Sequence, residues 1–456
     1  MVISAQDIAA RLDRLPATPA MWARVALLSL GGFFEFYDMF LVGYVAPGLV
    51  RSHILTATTP GLFGTSGLAS FGAAFFAGLF IGTALLGFLA DRFGRRSIFT
   101  YSLLWYMAAS AIMAFQTDAF GLDFWRFVAG IGVGVELVTI DTYIAEIVPK
   151  EVRGRAFALN QIVQFSAIPV VALLAWALVP HKPFGFDGWR VVVLIGSLGA
   201  VAVWRIRRAV PESPRWLARN GRVGEAGNIV ALWEAQASSA HRVLGAPAPV
   251  PVEEHGRFTD IWRKPYLTRT VMLIVFNLFQ TVGFYGFSYW VPTLLVSQGI
   301  AVTASLGYTF VIAIAAPVGP ALAWMVTDRI ERKWLIVAGA LGVACFGLAF
   351  GEMRTPLALI VFGVFVTLSS NIMSFSFHAY QPELYPTRIR GLAVGFVYSF
   401  SRLSAIFSTF LIAFVLGRFG VAGVFALIAA CMFVVAAIIA FLGPRTRNLS
   451  LEAISH

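Results

Sequence analysis

GFLADRFGRR (residues 87–96) and WMVTDRIERK (324–333) decide how this chain is built. Each holds an Asp-Arg pair followed by more basic residues, and Asp91 and Asp328 are 237 positions apart. A second pair of segments repeats that spacing. EIVPKEVRG (146–154) and ELYPTRIRG (383–391) carry Glu, Pro, Arg and Gly at matching positions, with Glu146 and Glu383 again 237 apart. Two separate motifs related by one offset indicate internal duplication, and duplicated halves are a feature of transporter folds.

Working outward from these loops, the intervening sequence is apolar. Of 456 residues, 59% are hydrophobic and 12% are charged, with a mean hydropathy of +0.79. A soluble protein averages roughly 45–50% apolar and about 25% charged. The composition excludes a soluble enzyme, a disordered chain and a nucleic-acid-binding protein. A bilayer-spanning helix needs about 20 apolar residues, whereas a transmembrane β-barrel shows alternating segments of about 10.

Apolar blocks fall near 22–47, 66–90, 97–116, 123–147, 155–179, 189–207, 268–295, 303–327, 334–351, 356–381, 391–417 and 420–443. The reading is an all-α membrane protein of twelve transmembrane helices in two pseudo-symmetric six-helix halves. Residues 1–21 form an N-terminal segment, 22–207 the first half, 208–266 a linker, 267–443 the second half and 444–456 a tail. Within the linker, RVGEAGNIVALWEAQ (222–236) reads as a short amphipathic helix and GAPAPVPVEE (245–254) as a loose Pro-rich stretch.

The net charge of +11 is distributed unevenly. Counting from an N-terminus placed inside, the tails and even-numbered loops hold 27 of the 34 Lys and Arg residues, and the opposite side holds 6. This asymmetry places both termini in the cytoplasm. No cleavable leader is expected, because residues 1–20 contain Asp7, Arg11, Asp13 and Arg14 without an apolar core. Cys345 and Cys431 lie in apolar stretches and read as two unpaired, buried thiols. No G-x-x-x-x-G-K-[ST] pattern appears, and no H-x-x-x-H or C-x-x-C spacing. A nucleotide, a metal or another cofactor is therefore not expected, nor is enzymatic activity. Short tails, and outer loops without an N-x-[ST] acceptor, point to a bacterial inner membrane.

GFLADRFGRR resembles the loop motif between spans two and three of the major facilitator superfamily. RFVAGIGVGVE (126–136) resembles its fourth-span motif, and PESPRWL (211–217) and EIVPKEVRGR (146–155) resemble sugar-porter signatures. LDRLP (12–16) with GGFFEFYDMF (31–40) is similar to bacterial metabolite porters related to niacin, aromatic-acid and organic anion or cation transporters. NLFQTVGFYGFSYWVP (277–292) keeps Gln280 and an aromatic cluster but departs from the hexose-porter pattern. The resemblance implies alternating access and a cytoplasmic gate built from Gly87, Asp91, Arg92, Gly94, Arg95, Glu146 and Arg153, repeated as Asp328, Arg329, Glu383 and Arg390. Arg153 and Glu146 are the expected partners of that cluster. The resemblance also sets Asp38 opposite Arg126.

Ionisable residues inside a bilayer are costly, at about 2.5–3.5 kcal/mol or more at a helix centre, and so mark function. Glu35, Asp38, Arg126 and Glu136 are the proton-coupling candidates. Glu136 lies 11 residues from Ile147 and Arg402 lies 11 from Gly391. Both are roughly 16 Å from the cytoplasmic end, near the midplane and in opposite halves. An Arg there stays charged and needs an anion, either a protein carboxylate or that of the substrate. Asp141 and His378, related by the same offset, are expected near the cytoplasmic ends as a pair across the pseudo-twofold. Candidate cavity groups are Gln161, Gln164, Asn277, Gln280 and Asn371, with Tyr285, Tyr289 and Trp290 as aromatic walls. The expected function is proton-coupled symport of a small organic acid. The alternatives are a sugar or polyol porter, an organic-cation porter, an exporter and a transporter-like sensor. The expected partners are a small molecule, protons and the lipid bilayer, with the chain working as a monomer and without nucleic acid.

Overall fold

The computed structural model describes residues 4–56, 59–62, 67–86, 88–149, 151–199, 209–239, 257–327 and 330–446. Gly87, Asp328, Arg329 and the segment 245–254 lie outside the described residues. The first half comprises α1 (Ala5–Asp13), α2 (Pro19–Arg51), α3 (Gly67–Leu86), α4 (Leu89–Phe93), α5 (Arg95–Met113), α6 (Ala119–Ile147), α7 (Arg153–Phe165), α8 (Ala167–Leu178) and α9 (Gly188–Ser197). The linker carries α10 (Pro214–Arg219) and α11 (Val223–Ser239). The second half comprises α12 (Tyr266–Ser297), α13 (Val302–Ala313), α14 (Val318–Thr327), α15 (Arg332–Glu352), α16 (Pro356–Glu383) and α17 (Thr387–Leu442).

Among the described residues, nine helical segments are long and apolar enough to cross a membrane. α5 and the shorter apolar α9 fall where spans three and six are expected. α17 covers two expected spans and is broken by Gly420, whose φ of 67° leaves the helical region. Two other expected spans are split. α7 stops at Phe165, four residues before Pro169, and α13 stops at Ala313, four residues before Pro317. A proline lacks the N–H that would bond the carbonyl four residues back, and its ring crowds that carbonyl.

Small residues set the closest helix contacts. A Cβ added at Gly78 on α3 would run into the Phe127 carbonyl of α6, and one at Gly130 on α6 into the Phe75 carbonyl of α3. In a bilayer, helices associate largely by this kind of packing. The Gly-rich run 126–136 is therefore the surface that lets α6 lie backbone-to-backbone on α3.

The two halves meet at the end away from the termini. Gly43 of α2 lies directly on the backbone of Tyr289 in α12. Phe40 and Phe76 pack on the Tyr289 ring at 5.4 Å between centroids. At the other end the termini and linker gather. Arg11 and Arg14 of α1 each bind Glu234 of α11 at 2.6 Å, and Arg215 binds Asp13 at 2.7 Å. Tyr380 donates to the Pro444 carbonyl at 2.7 Å, and the Thr446 N–H donates to Glu331 at 3.0 Å. The linker helix falls where expected. One expectation fails: Cys431 is buried, but Cys345 is exposed. In a membrane protein an apolar stretch has a lipid-facing side, so apolar neighbours in sequence do not imply burial.

The Arg11 hydrogen bonds, then Arg14, hold the Glu234 carboxyl below its usual range. A depressed carboxylate stabilises the fold above its unfolded pKa, and that contribution is lost as the pH falls through the lower folded value. Glu234→Gln at neutral pH should accordingly speed amide hydrogen exchange in Ser4–Asp13 while leaving α6 protected. Unchanged exchange in α1 would show that its docking does not depend on this carboxylate.

Candidate functional site

α2 aims Asp38 at α5 and α6. Arg126 donates to the Asp38 carboxylate at 2.7 Å and to the Asp38 carbonyl at 2.6 Å, and Ser110 donates to the second carboxylate oxygen at 2.7 Å. The guanidinium also lies 4.1 Å from the Phe75 ring centroid, a cation–π contact. Arg126 is fully buried. This pair is closed off in the interior of the first half and does not line the cavity described next.

Between the halves lies a cavity of about 780 Å³, within the range of roughly 300–1,000 Å³ typical of small-molecule sites. It opens at Glu151, Arg155 and Arg332, on the face that carries the termini, and is closed toward the Gly43–Tyr289 contact. Of the sequence candidates, Gln161, Gln164, Asp141, Gln280, Tyr285, His378 and Arg402 line it. Asn277, Asn371, Trp290 and Tyr289 do not. Asn277 turns back to the Leu273 carbonyl of its own helix at 2.9 Å, and Asn371 bonds the Ala316 carbonyl exposed by the α13–α14 break at 2.9 Å. Trp290 is buried in packing, and Tyr289 stacks behind Tyr285 with centroids 5.1 Å apart.

Arg402 is 3% exposed, and its partners are two hydroxyls. It donates to Tyr285 at 3.2 Å and to Tyr398 at 3.3 Å. Its guanidinium lies 4.9 Å from the Tyr398 ring centroid, and its Nε has no partner. Among the described residues it makes no ion pair. The acids that reach it through space are Glu35 and Asp141, and Glu136, at similar depth in the other half, is not among them. Glu35 and Glu136 are fully buried behind the cavity wall.

Asp141 and His378 also depart from expectation. Both line the cavity rather than the gate, and they do not pair. Asp141 takes an amide hydrogen of Asn160 at 3.4 Å. His378 is held by the Ser374 carbonyl at 2.7 Å and the Tyr398 hydroxyl at 3.3 Å. Each has a local partner within reach, which removes the need for the other.

The loop motifs form two related clusters. Arg95 binds Asp91 at 2.7 Å and Glu146 at 2.9 Å, and Arg332 binds Glu383 at 2.9 Å. Arg153 donates to the Val148 carbonyl, and Arg390 to the Tyr385 carbonyl. Two contacts obey the 237 offset: Arg95–Glu146 matches Arg332–Glu383, and Arg153–Val148 matches Arg390–Tyr385. The expected role of Arg153 is corrected here: it pairs with Asp13 at 4.0 Å, not with Asp91 or Glu146. The basic residue that opens the helix after the loop, Arg95 or Arg332, takes the acid, and each such ion pair stays within its own half. Gly94 turns the chain into α5 with φ of 96°, a conformation that favours glycine. Arg92 lies at the surface over Phe93. Glu212 accepts the backbone N–H groups of Arg95 and Arg96 at 3.0 and 3.2 Å, capping α5. Burial pushes its carboxyl up, and these bonds oppose the shift. Arg332, Glu212 and Tyr398 are functional groups that the sequence reading missed. Adding the offset to Arg95 finds Arg332, and Glu212 lies in the quoted PESPRWL. Tyr398 is marked only by lying one helical turn before Arg402.

Residues 25–456 match the family described as Sugar (and other) transporter. The chain is 31% identical to the putative metabolite transport protein YyaJ of Bacillus subtilis, covering 96% of each chain. It is 29% identical to the niacin transporter NiaP of Acinetobacter baylyi, over 98% of this chain and 99% of that one. In fold it is similar to a partially occluded inward-open structure of the xylose transporter XylE from E. coli, with a TM-score of 0.75, 19% identity and coverage of 95% and 100%.

The Asp38–Arg126 pair sets a stability prediction. Removing one member of a buried pair typically costs about 3–5 kcal/mol, because the other is left uncompensated. Arg126→Ala should lower the thermal unfolding temperature of the purified protein sharply, and Asp38→Asn combined with Arg126→Gln should recover most of the loss. An Arg126→Ala protein as stable as the wild type would contradict the contact geometry.

Proposed function

The chain belongs to the sugar (and other) transporter family, and from that premise we propose that it is a proton-coupled symporter of a small carboxylate metabolite in a bacterial inner membrane. Arg402 carries the reading. A guanidinium in a bilayer core keeps its charge and is stable there only with an anion. Its two hydroxyl neighbours are neutral, and its planar fork matches a carboxylate. A substrate carboxylate in the cavity completes the charge balance. Gln164 and Gln280 offer hydrogen bonds to the rest of the ligand, and the aromatic wall suits an apolar or ring-shaped body. The name of the niacin transporter supports this class, since niacin is a pyridine carboxylate.

Transport follows by rocking of the two halves. With twelve spans and cytoplasmic termini, the cavity faces the cytoplasm in this conformation. Reversal separates Gly43 from Tyr289 and closes the terminal face, where the Arg95 and Arg332 clusters act as the gate. Asp38 is the proton carrier: separation from Arg126 and access to water let it take up and release a proton. Relatives named as an arabinose-proton symporter and a D-xylose-proton symporter support proton coupling. They also keep a sugar or polyol as the second reading, and the cavity glutamines Gln161, Gln164 and Gln280 suit its hydroxyls.

Two measurements test this. In proteoliposomes with an imposed pH gradient, Asp38→Asn should abolish accumulation while leaving exchange of substrate across the membrane. Accumulation that survives would place coupling elsewhere. Arg402→Ala should weaken carboxylate binding by about 2–5 kcal/mol, because the anion is left buried and unpaired. Arg402→Lys, which keeps the charge but loses the fork, should fall between. A ligand screen won by sugars or amines, with carboxylates inactive, would overturn the substrate class.

A further inference from the structure

Glu35 on α2 and Glu136 on α6 are fully buried, and none of their four carboxylate oxygens has a hydrogen-bond partner. They are neighbours. The Glu136 carboxylate lies against Gly31, one turn before Glu35, where an added Cβ would come within 3.2 Å of its Oε1. The charged group acting on Glu136 is Glu35. Those acting on Glu35 are Asp141 from α6 and Arg402 from α17. α5 contributes Tyr106, 1% exposed, whose hydroxyl has no partner and which interacts electrostatically with Glu136, Asp38 and Glu35. Asp38 itself is occupied by Arg126 and Ser110. An unpaired carboxylate in an apolar interior is very costly, and two side by side cost more, so such a pair binds a proton rather than carry two charges.

We propose that Glu35 and Glu136, with the Tyr106 hydroxyl, form a second proton-binding site in the first half, and that its charge is set by what occupies Arg402. The proposal rests on the reading that a carboxylate docks on Arg402. In the empty cavity the guanidinium is balanced at a distance by Glu35 and Asp141. A docked carboxylate cancels that charge. Glu35 then loses its counter-ion and takes one proton from water, becoming a neutral acid beside Glu136. The bound anion and the proton on Glu35 form an electrically neutral couple, and the proton that drives accumulation is carried separately by Asp38. By linkage, each raises the affinity for the other by the same factor. This device ties ligand occupancy in one half to protonation in the other without opening the Asp38–Arg126 pair.

The test uses the full-length protein in lipid nanodiscs, with nicotinate, benzoate and acetate as probe anions. Infrared difference spectra report protonated carboxyl groups, and an indicator dye reports proton uptake. Without ligand at neutral pH, the wild type should show a buried carboxylic-acid band that Glu35→Gln with Glu136→Gln removes and Asp38→Asn keeps. Glu136→Gln alone provides a milder variant, which should also remove the band, because Glu35 is ionised opposite Arg402 without ligand. Adding a probe anion that binds should take up about one proton in the wild type and none in Glu35→Gln, the linkage being carried by that carboxyl. A band that persists in the double variant, or binding without proton uptake, would overturn the proposal. If no anion stabilises the protein at all, the Arg402 reading fails instead, and the ligand-free spectrum still decides whether the pair holds a proton.

Discussion

A charge in the bilayer core must be balanced, and Arg126 and Arg402 meet that requirement differently. Arg126 has a carboxylate, a carbonyl and an aromatic face around it, and its pair with Asp38 is complete within the first half. Arg402 has two tyrosine hydroxyls and an open cavity. A complete pair stabilises a state until something opens it, whereas an incomplete one selects a ligand. The cavity and its tyrosines, with the acids behind its wall, surround the Arg402 guanidinium.

The duplication explains the scaffold but not the site. Under the 237 offset, Arg95 and Glu146 correspond to Arg332 and Glu383, and both pairs close at 2.9 Å. The two halves thus keep the same loop chemistry. The charges in the membrane break the symmetry. The offset takes Glu35 to Met272 and Asp38 to Val275, and it relates Arg402 to Phe165. The first half holds the acids, and the second holds Arg402, which makes no ion pair among the described residues. A substrate seated between them is therefore in an electric field directed from one half to the other.

Much of this was legible in the sequence. Long apolar blocks and repeated loop motifs are strong signals because a lipid environment permits few backbone solutions. The identity of the buried charges was equally plain, since any Asp, Glu or Arg in such a block stands out. Partner choice was harder to read. Arg153 was expected to answer the gate acids, yet Arg95 does so, because it opens a helix beside them. Asn277 and Gln280 are three residues apart, and only Gln280 reaches the cavity; the shorter amide bonds its own helix. Asp141 and His378 satisfy themselves locally, which a shared offset does not reveal. Cys345 faces outward for a reason a soluble protein seldom provides: the solvent there is as apolar as the core.

The central claim, that Arg402 awaits the substrate's carboxylate, is tested most directly by paired ligands differing only in charge. Calorimetric titration of the purified protein with nicotinate and nicotinamide, and with benzoate and benzamide, compares an acid with its amide in nearly constant shape. The account predicts that at least one acid binds, that its amide binds far more weakly, and that Arg402→Ala erases the difference. Equal affinity for an acid and its amide in the wild type, or a difference that survives Arg402→Ala, would contradict it.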